Sequence, residues 1–340
     1  MTPADANPLG AFLRAQGAVV LDGGLATTLE SHGRDLNDPL WSARVILEDP
    51  DALARVHTEF LEAGADVIAT ATYQATLEGF MNRGLSREEA VAAMEKAVEV
   101  AVGARDRFWE TFAAGSGAVA LSPSGKESGR RLRPLVAASI GPYGAYLADG
   151  SEYTGAYSLD EAALAAFHRP RWEILAASDA DLLACETIPS GPEVRALLRL
   201  LDETPDRWAW ISVQCRDART LADGTPLEEA AALCDAVPHV AAVGVNCVSP
   251  DLVSGILQVL RGATEKPVAV YPNSGEGWDG RAKRWTGRGV SLVHRAREWR
   301  EEGARVLGGC CRVSPSAIGA MRRELMDAGG GDGPAPPAVS

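Results

Sequence analysis

The sequence predicts an α/β chain closed into a (β/α)8 barrel of the TIM type, and three observations carry that expectation. Eight short apolar or β-branched runs recur along the chain, helical patterns lie between them, and polar and sulfur-bearing residues gather at the ends of the runs. Short continuous apolar runs are strands covered on both faces. Strands that alternate with helices build a parallel sheet, and eight of them suffice to close it. An open doubly wound sheet is the competing arrangement. No G-x-G-x-x-G follows the first run, so the dinucleotide-binding form of that sheet lacks its fingerprint.

The first run is "AVVLDGG" (18–24). After it, "DPDALARVHTEFLEAG" places Leu53, Val56, Phe60 and Leu61 on one helical face, and Gly64 supplies a C-terminal stop. The second run is "DVIATATY" (66–73). Ser86 and Glu89 then have the spacing of a capping box, as do Ser158/Glu161, Ser190/Glu193 and Thr225/Glu228 farther on, with Pro226 placed at a first helical position. The stretch 113–133, rich in Gly and Ser, reads as a mobile excursion before the third run, "LVAASIGP" (135–142). "DLLACETIP" (181–189), "WAWISVQC" (208–215), "AAVGVNC" (241–247), "PVAVYPNS" (267–274) and "RVLGGCC" (305–311) complete the eight. "LEAGADVI" (61–68) echoes "EEGARVL" (301–307), each a helix end turning into a strand. Residues 1–328 are expected to form a single domain, and the Gly- and Pro-rich stretch 329–340 a disordered tail.

Composition narrows the function classes. In 340 residues, 46% hydrophobic, there is enough apolar material for a substantial core without disulfide staples. A net charge of −13 argues against a nucleic-acid partner, which would need a basic face. There is no charged-then-apolar leader and no apolar run long enough to span a bilayer, so a cytoplasmic protein with no membrane association is expected. The six cysteines (185, 215, 234, 247, 310 and 311) are too sparse for a secreted disulfide framework, and reduced thiols are the default.

In a barrel of this kind the C-terminal ends of the strands form the active face. Here those ends carry Asp22-Gly23-Gly24, Cys185-Glu186-Thr187, Asn246-Cys247 and Gly309-Cys310-Cys311. Cys247 and Cys310 are 63 residues apart (310 − 247), too far for a zinc ribbon or finger, yet the sixth and eighth strands of a closed barrel end near each other. Three thiolates meeting there would leave a fourth position open, the catalytic arrangement for zinc. None of the five histidines (32, 57, 168, 239, 294) lies at a strand end, and an all-sulfur set favours Zn2+ over harder cations.

The residues alone leave other readings open. Cys185, Cys234 and Cys215 suit plain core packing. The Cys310–Cys311 pair could be core, a vicinal disulfide, or two ligands of one metal. Neighbouring strand side chains point to opposite faces, so shared ligation needs a turn, which Gly308 and Gly309 make easy. Asp22 could be a turn residue. Glu186 inside an apolar run is expected to face a pocket that offers it a cation.

These motifs resemble the zinc-dependent homocysteine S-methyltransferases. The resemblance runs from "LDGGLATTLE" (21–30) to "GGCCRVSP" (308–315) and is most specific in the combination of "GVNC" (244–247) with "GGCC" (308–311). It implies a barrel with Zn2+ on Cys247, Cys310 and Cys311. It also implies that Asp22 and Glu186 hold the amino group of L-homocysteine, and that Gly23 and Gly24 bring backbone amides to its carboxylate. Trp41, in "DPLWSA", matches an aromatic residue lining the donor side, and Tyr73 joins it facing a sulfonium methyl donor; Asn273 is expected in the same pocket.

"ASIGPYGAYLADGSEYTG" (138–155) and "YPNSGE" (271–276) look like the branch that uses S-methylmethionine, with S-adenosylmethionine as a poorer donor. The betaine-using branch, or acceptors containing selenium, are the alternatives within the family. Outside it stand a zinc hydrolase, with Glu186 activating water, and a non-catalytic thiol or zinc sensor built on Cys310 and Cys311. Three thiolates make zinc too electron-rich to suit the first, and the second leaves Asp22, Glu186 and Asn273 without a purpose. The sequence leaves the number of subunits open.

Overall fold

The computed structural model describes residues 6–34, 42–115, 131–279 and 284–327. Trp41, most of the 113–133 excursion and the 329–340 tail lie outside them. The strands are β1 (Val19–Val20), β2 (Val67–Ala69), β3 (Leu135–Ile140), β4 (Leu182–Ile188) and β5 (Ala209–Val213). They continue with β6 (Val240–Asn246), β7 (Val268–Tyr271), β8 (Gly277–Asp279), β9 (Arg284–Thr286) and β10 (Ala304–Leu307). Each of the eight expected runs overlaps one of these strands, β6 and β10 starting one residue ahead of theirs.

Eight strands form one parallel sheet in the order β1-β10-β7-β6-β5-β4-β3-β2. Its two edges meet: Leu21 bridges Val67, the Asp66 N–H donates to the Val20 carbonyl (2.7 Å), and the Asp22 N–H donates to the Val67 carbonyl (3.0 Å). The sheet is a barrel, and the open doubly wound alternative falls. The sequence reading missed the small antiparallel pair β8–β9 between β7 and β10.

Alternation along the strands sorts side chains into two layers. Val19, Leu21, Val67, Ala137, Leu182, Ala184, Trp210, Tyr271 and Val306 fill the barrel interior, with Leu9 and Phe12 packed among them from the helix Gly10–Gln16 and its N-cap. The intervening residues face the helices. Leu53, Val56, Phe60 and Leu61 are all fully buried in this outer layer, each worth about 1.5–3 kcal/mol of burial. Cys185, Cys215 and Cys234 are buried in the same layer, as expected of packing residues.

Helix ends follow the sequence in some places only. Gly64 adopts φ +113°, and its N–H caps the carbonyls of Phe60 and Leu61. Ser86 and Glu89 form a full reciprocal box, at 2.7 and 3.1 Å. Ser190 accepts from the Glu193 N–H, but the Glu193 carboxylate turns away to the Tyr143 N–H and His168. The helix Glu161–Ala176 is capped by Asp160, which lies closer to its first turn than Ser158 does. Pro226 is the N-cap of Leu227–Asp235 and not its first residue, and the Thr225 hydroxyl bonds Asp223 instead of the helix. The helix that begins at Arg87 runs to Gly115, so the first three residues of the 113–133 segment are helical. No helix among the described residues is long and apolar enough to cross a membrane.

Candidate metal centre and adjoining pocket

Two strand ends deliver the sulfurs. β6 stops at Asn246, and Cys247 follows in the left-handed conformation (φ +53°). β10 stops at Leu307, and Cys310 and Cys311 lie in the turn beyond it, closed by the Val313 N–H on the Cys310 carbonyl (3.2 Å). The three Sγ atoms all lie within 4.8 Å of one another. Cys247 and Cys310 are paired, with Cα atoms 5.6 Å apart, and Cys311 is unpaired. The pairing therefore joins two strand ends, and the vicinal alternative is not formed.

The glycines before the cysteines act differently from the expectation. Neither Gly308 nor Gly309 has positive φ; the left-handed residue of the turn is Arg312 (φ +66°). The two glycines are needed for close approach. A Cβ on Gly308 would lie 2.6 Å from the Leu21 Cβ, and one on Gly309 would run into the Val313 side chain.

A second set of bonds fixes the sulfurs. The Cys310 N–H donates to the Pro272 carbonyl (2.8 Å), and the Ser274 N–H donates to the Cys311 carbonyl (3.1 Å). Asn273 was expected to contact substrate, but both ends of its amide are engaged with backbone. Its Nδ2 donates to the Cys247 carbonyl (3.1 Å), and its Oδ1 accepts from the Cys311 N–H (3.1 Å). One side chain thus ties the two cysteine-bearing turns together. Arg312 locks the same loop through Glu276, at 2.7 and 3.3 Å.

The chemistry of this donor set fits zinc. It offers three soft sulfurs with no carboxylate or imidazole among them, and Zn2+ is the common divalent ion that such ligands select. Ligation requires thiolates, so the Cys247–Cys310 pair must first be reduced. Burial pushes the Cys311 thiol up to about 12, and negative groups nearby, Glu186 among them, push the same way.

Asp22 and Glu186 come together beside this cluster. Asp22 follows β1, is 7% exposed, and accepts from the Ala69 N–H (2.8 Å). Burial raises its carboxyl well above the usual range; the Ala69 bond opposes this, and the charge of Glu186 adds to it. Glu186 shares the inward face of β4 with Leu182 and Ala184, at a register shift between Cys185 and Ile188 where Thr187 takes φ +61°. Its carboxylate accepts from the Ser139 hydroxyl (2.5 Å) and from the Tyr271 hydroxyl, which is itself held by the Trp210 indole N–H (2.9 Å). Burial pushes Glu186 up to about 6, against the pull of those two hydroxyls. Burial raises both carboxyls, and the charge of Glu186 raises Asp22 further, so an ammonium group placed between them would offset both.

The Gly23-Gly24 pair divides its work. Gly24 donates its N–H to the Val313 carbonyl (2.9 Å), whereas the Gly23 N–H has no partner among the described residues. Only Gly23 is left to meet a carboxylate. A Cβ on Gly24 would lie 2.8 Å from the Cys310 carbonyl, so this glycine lets the first strand end approach the cysteine turn.

Tyr73 lies at the end of β2 with its ring against Gly141 and its hydroxyl bonded to Thr187. Thr187 is bracketed in turn by the Asn246 amide, at 2.7 and 2.8 Å. Ser139, Tyr271 and Thr187 were not singled out from the sequence. The available signal was alternation: each is a polar side chain near the C-terminal end of a barrel strand.

The family model "Homocysteine S-methyltransferase" matches residues 19–325. Homocysteine S-methyltransferase YbgG of Bacillus subtilis (strain 168) is 45% identical over 316 residues, 92% of this chain and 96% of that protein. Homocysteine S-methyltransferase 1 of Brassica oleracea var. italica is 45% identical over 319 residues, 91% of this chain and 94% of its own length. Among solved structures, the metallated form of the homocysteine methyltransferase MmuM from Escherichia coli superposes with a TM-score of 0.80 at 42% identity, covering 93% of this chain and 99% of that one.

Proposed function

The chain belongs to the homocysteine S-methyltransferase family, and from that premise we propose that it moves a methyl group from a sulfonium donor to L-homocysteine, giving methionine. S-Methylmethionine is the preferred donor, with S-adenosylmethionine second. The observation that carries the proposal is the meeting of three sulfurs within 4.8 Å at the barrel rim, beside two buried carboxyls. Cys247, Cys310 and Cys311 would hold Zn2+, which supplies the Lewis acidity that keeps a substrate thiol ionised at neutral pH.

The chain's own residues do the rest by placement. Asp22 and Glu186 take the ammonium group of homocysteine, and the Gly23 N–H meets its carboxylate. Tyr73 presents an aromatic face to the sulfonium, a contact worth about 0.5–2 kcal/mol; Trp41 belongs to the same donor side. One S–C bond forms on the acceptor sulfur as the donor's S–CH3 bond breaks, and the electron pair stays on the leaving sulfur as a neutral thioether. No proton has to reach the leaving group, so alignment and exclusion of water are the main demands. We read residues 1–328 as one homocysteine-binding unit, at work in the reducing cytoplasm where three thiols persist.

Metal analysis of the reduced protein, followed by assays with S-methylmethionine, S-adenosylmethionine and betaine, tests the proposal. About one zinc per chain and fastest turnover with S-methylmethionine are expected. Preference for betaine, or full activity without metal, would overturn it. Cys247→Ala is expected to lose both zinc and turnover; a variant that kept full rate without metal would remove the three-sulfur site from the mechanism.

A further inference from the structure

The loop after β3 carries a carboxylate that nothing above uses. It ends in a short 3-10 turn, Ser151–Tyr153, which packs on the helix Tyr143–Leu147. Gly144 makes the contact possible, since a Cβ there would lie 2.6 Å from the Ser151 carbonyl carbon and 2.8 Å from the Glu152 Cα. Glu152 is thereby fixed by its backbone. The backbone N–H groups of Gly150 and of Glu152 itself bond its carboxylate. The remaining oxygen, Oε2, is buried and has no hydrogen-bond partner among the described residues.

A buried charged acceptor left without a donor costs about 1–3 kcal/mol or more, so its retention points to a ligand group that completes it. The direction in which it acts is fixed by its neighbours. The turn that carries Glu152 also contacts β4, the strand of Glu186, and the charge of Glu152 acts on Tyr73 and Tyr153, on the aromatic side of the pocket. Asp22 and Glu186 already account for one ammonium group. A methyl donor that is itself an α-amino acid brings a second.

We propose that Glu152 receives the α-ammonium group of the methyl donor through Oε2, so that the site selects sulfonium donors bearing an amine over methyl donors without one. The assignment rests on the sulfonium-donor function proposed above. It also names a physical basis for that preference: a sulfonium or a quaternary ammonium has no N–H to give, whereas a primary ammonium has three.

The test compares S-methylmethionine with dimethylsulfoniopropionate, which keeps a sulfonium and a carboxylate but lacks the amine. In Glu152→Gln, kcat/KM for S-methylmethionine is expected to fall about tenfold or more, mainly through KM. The KM for homocysteine should stay unchanged, and the melting temperature should not fall. Affinity for dimethylsulfoniopropionate, read as its KM or as inhibition of S-methylmethionine turnover, should move less than about twofold, since no N–H is lost. Glu152→Asp, with the charge retained on a shorter arm, should fall between wild type and Glu152→Gln. Equal losses for both sulfonium compounds, an unchanged KM for S-methylmethionine, or a shift in the homocysteine KM instead would overturn the assignment. The wild type separates the two failures. If it takes methyl from betaine alone, the donor proposal fails and this one with it; if it uses S-methylmethionine and the Gln variant does so equally well, only this one fails.

Discussion

Glu186 shows how one side chain can serve binding against stability. Its carboxyl is raised from 4.5 to about 6 by burial, so the folded state holds its proton to higher pH than the unfolded chain does. For an acid raised in this way, the unfolded state binds fewer protons between those values, and stability falls as pH rises through that window. Glu186→Gln should therefore stabilise the fold at pH 7 relative to wild type by on the order of 1–2 kcal/mol, read as a higher melting temperature. The same change should weaken homocysteine binding. Wild-type affinity should itself decline as pH drops through about 6, since a protonated carboxyl cannot pair with an ammonium group; a flat profile would remove Glu186 from the pocket. Asp22, Glu186 and the three cysteines stood out in the sequence because their chemistry is out of place in apolar strands, and the fold gathers the three sulfurs and sets the two carboxyls within reach of each other's charge. Asn273 was noticed, but its tie between the two cysteine turns was not legible, because it depends on bonds that only folding brings together. Asn273→Ala should lower zinc affinity about 10–100-fold, measured by competition with a chromophoric chelator. An unchanged affinity would show that the clamp is dispensable.

Local patterns predicted the strands better than the helix ends. Strand runs are specified by a continuous apolar stretch, and all eight were legible. Capping boxes are specified by spacing alone, which Ser86/Glu89 satisfied and Ser158/Glu161 did not, because Asp160 stood closer to the first turn. Buried polar ties between elements were invisible for a related reason. Arg171, inside the helix Glu161–Ala176, donates to the carbonyls of Tyr73 (3.1 Å) and Gly141 (2.6 Å) and contacts His168 (2.9 Å), which meets Glu193 at 2.8 Å. These bonds link the ends of β2 and β3 to two helices. Arg171→Ala should destabilise the protein by about 3–5 kcal/mol, as expected when a buried charged group leaves its partners unpaired. Urea unfolding measures this directly, and a loss under about 1 kcal/mol would mean the network is incidental. Three of the four described non-glycine residues with positive φ, Thr187, Cys247 and Arg312, flank the pocket or the sulfur cluster. At about 1–3 kcal/mol each, such backbone strain persists only where packing imposes it.

At the scale of the whole molecule, closure is what turns separate motifs into a site. Cys247 and Cys310 are far apart in sequence, and only the register β6-β7-β10 brings their turns side by side, with Asn273 at the end of the strand between them. The barrel could be inferred from strand count and rhythm, but the seam that completes it could not. That seam runs between β1 and β2, where Leu21 bridges Val67 and Asp22 contributes two bonds, its N–H to the Val67 carbonyl and its carboxylate to the Ala69 N–H. The hoop is therefore fastened by the same aspartate that we propose to face the incoming amino acid. Breathing of the fastening would loosen the wall of the pocket, and a bound amino acid would damp it. Deuterium uptake at the Ala69 amide thus becomes a gauge of occupancy, slowing when homocysteine is present, in a part of the backbone that performs no chemistry of its own.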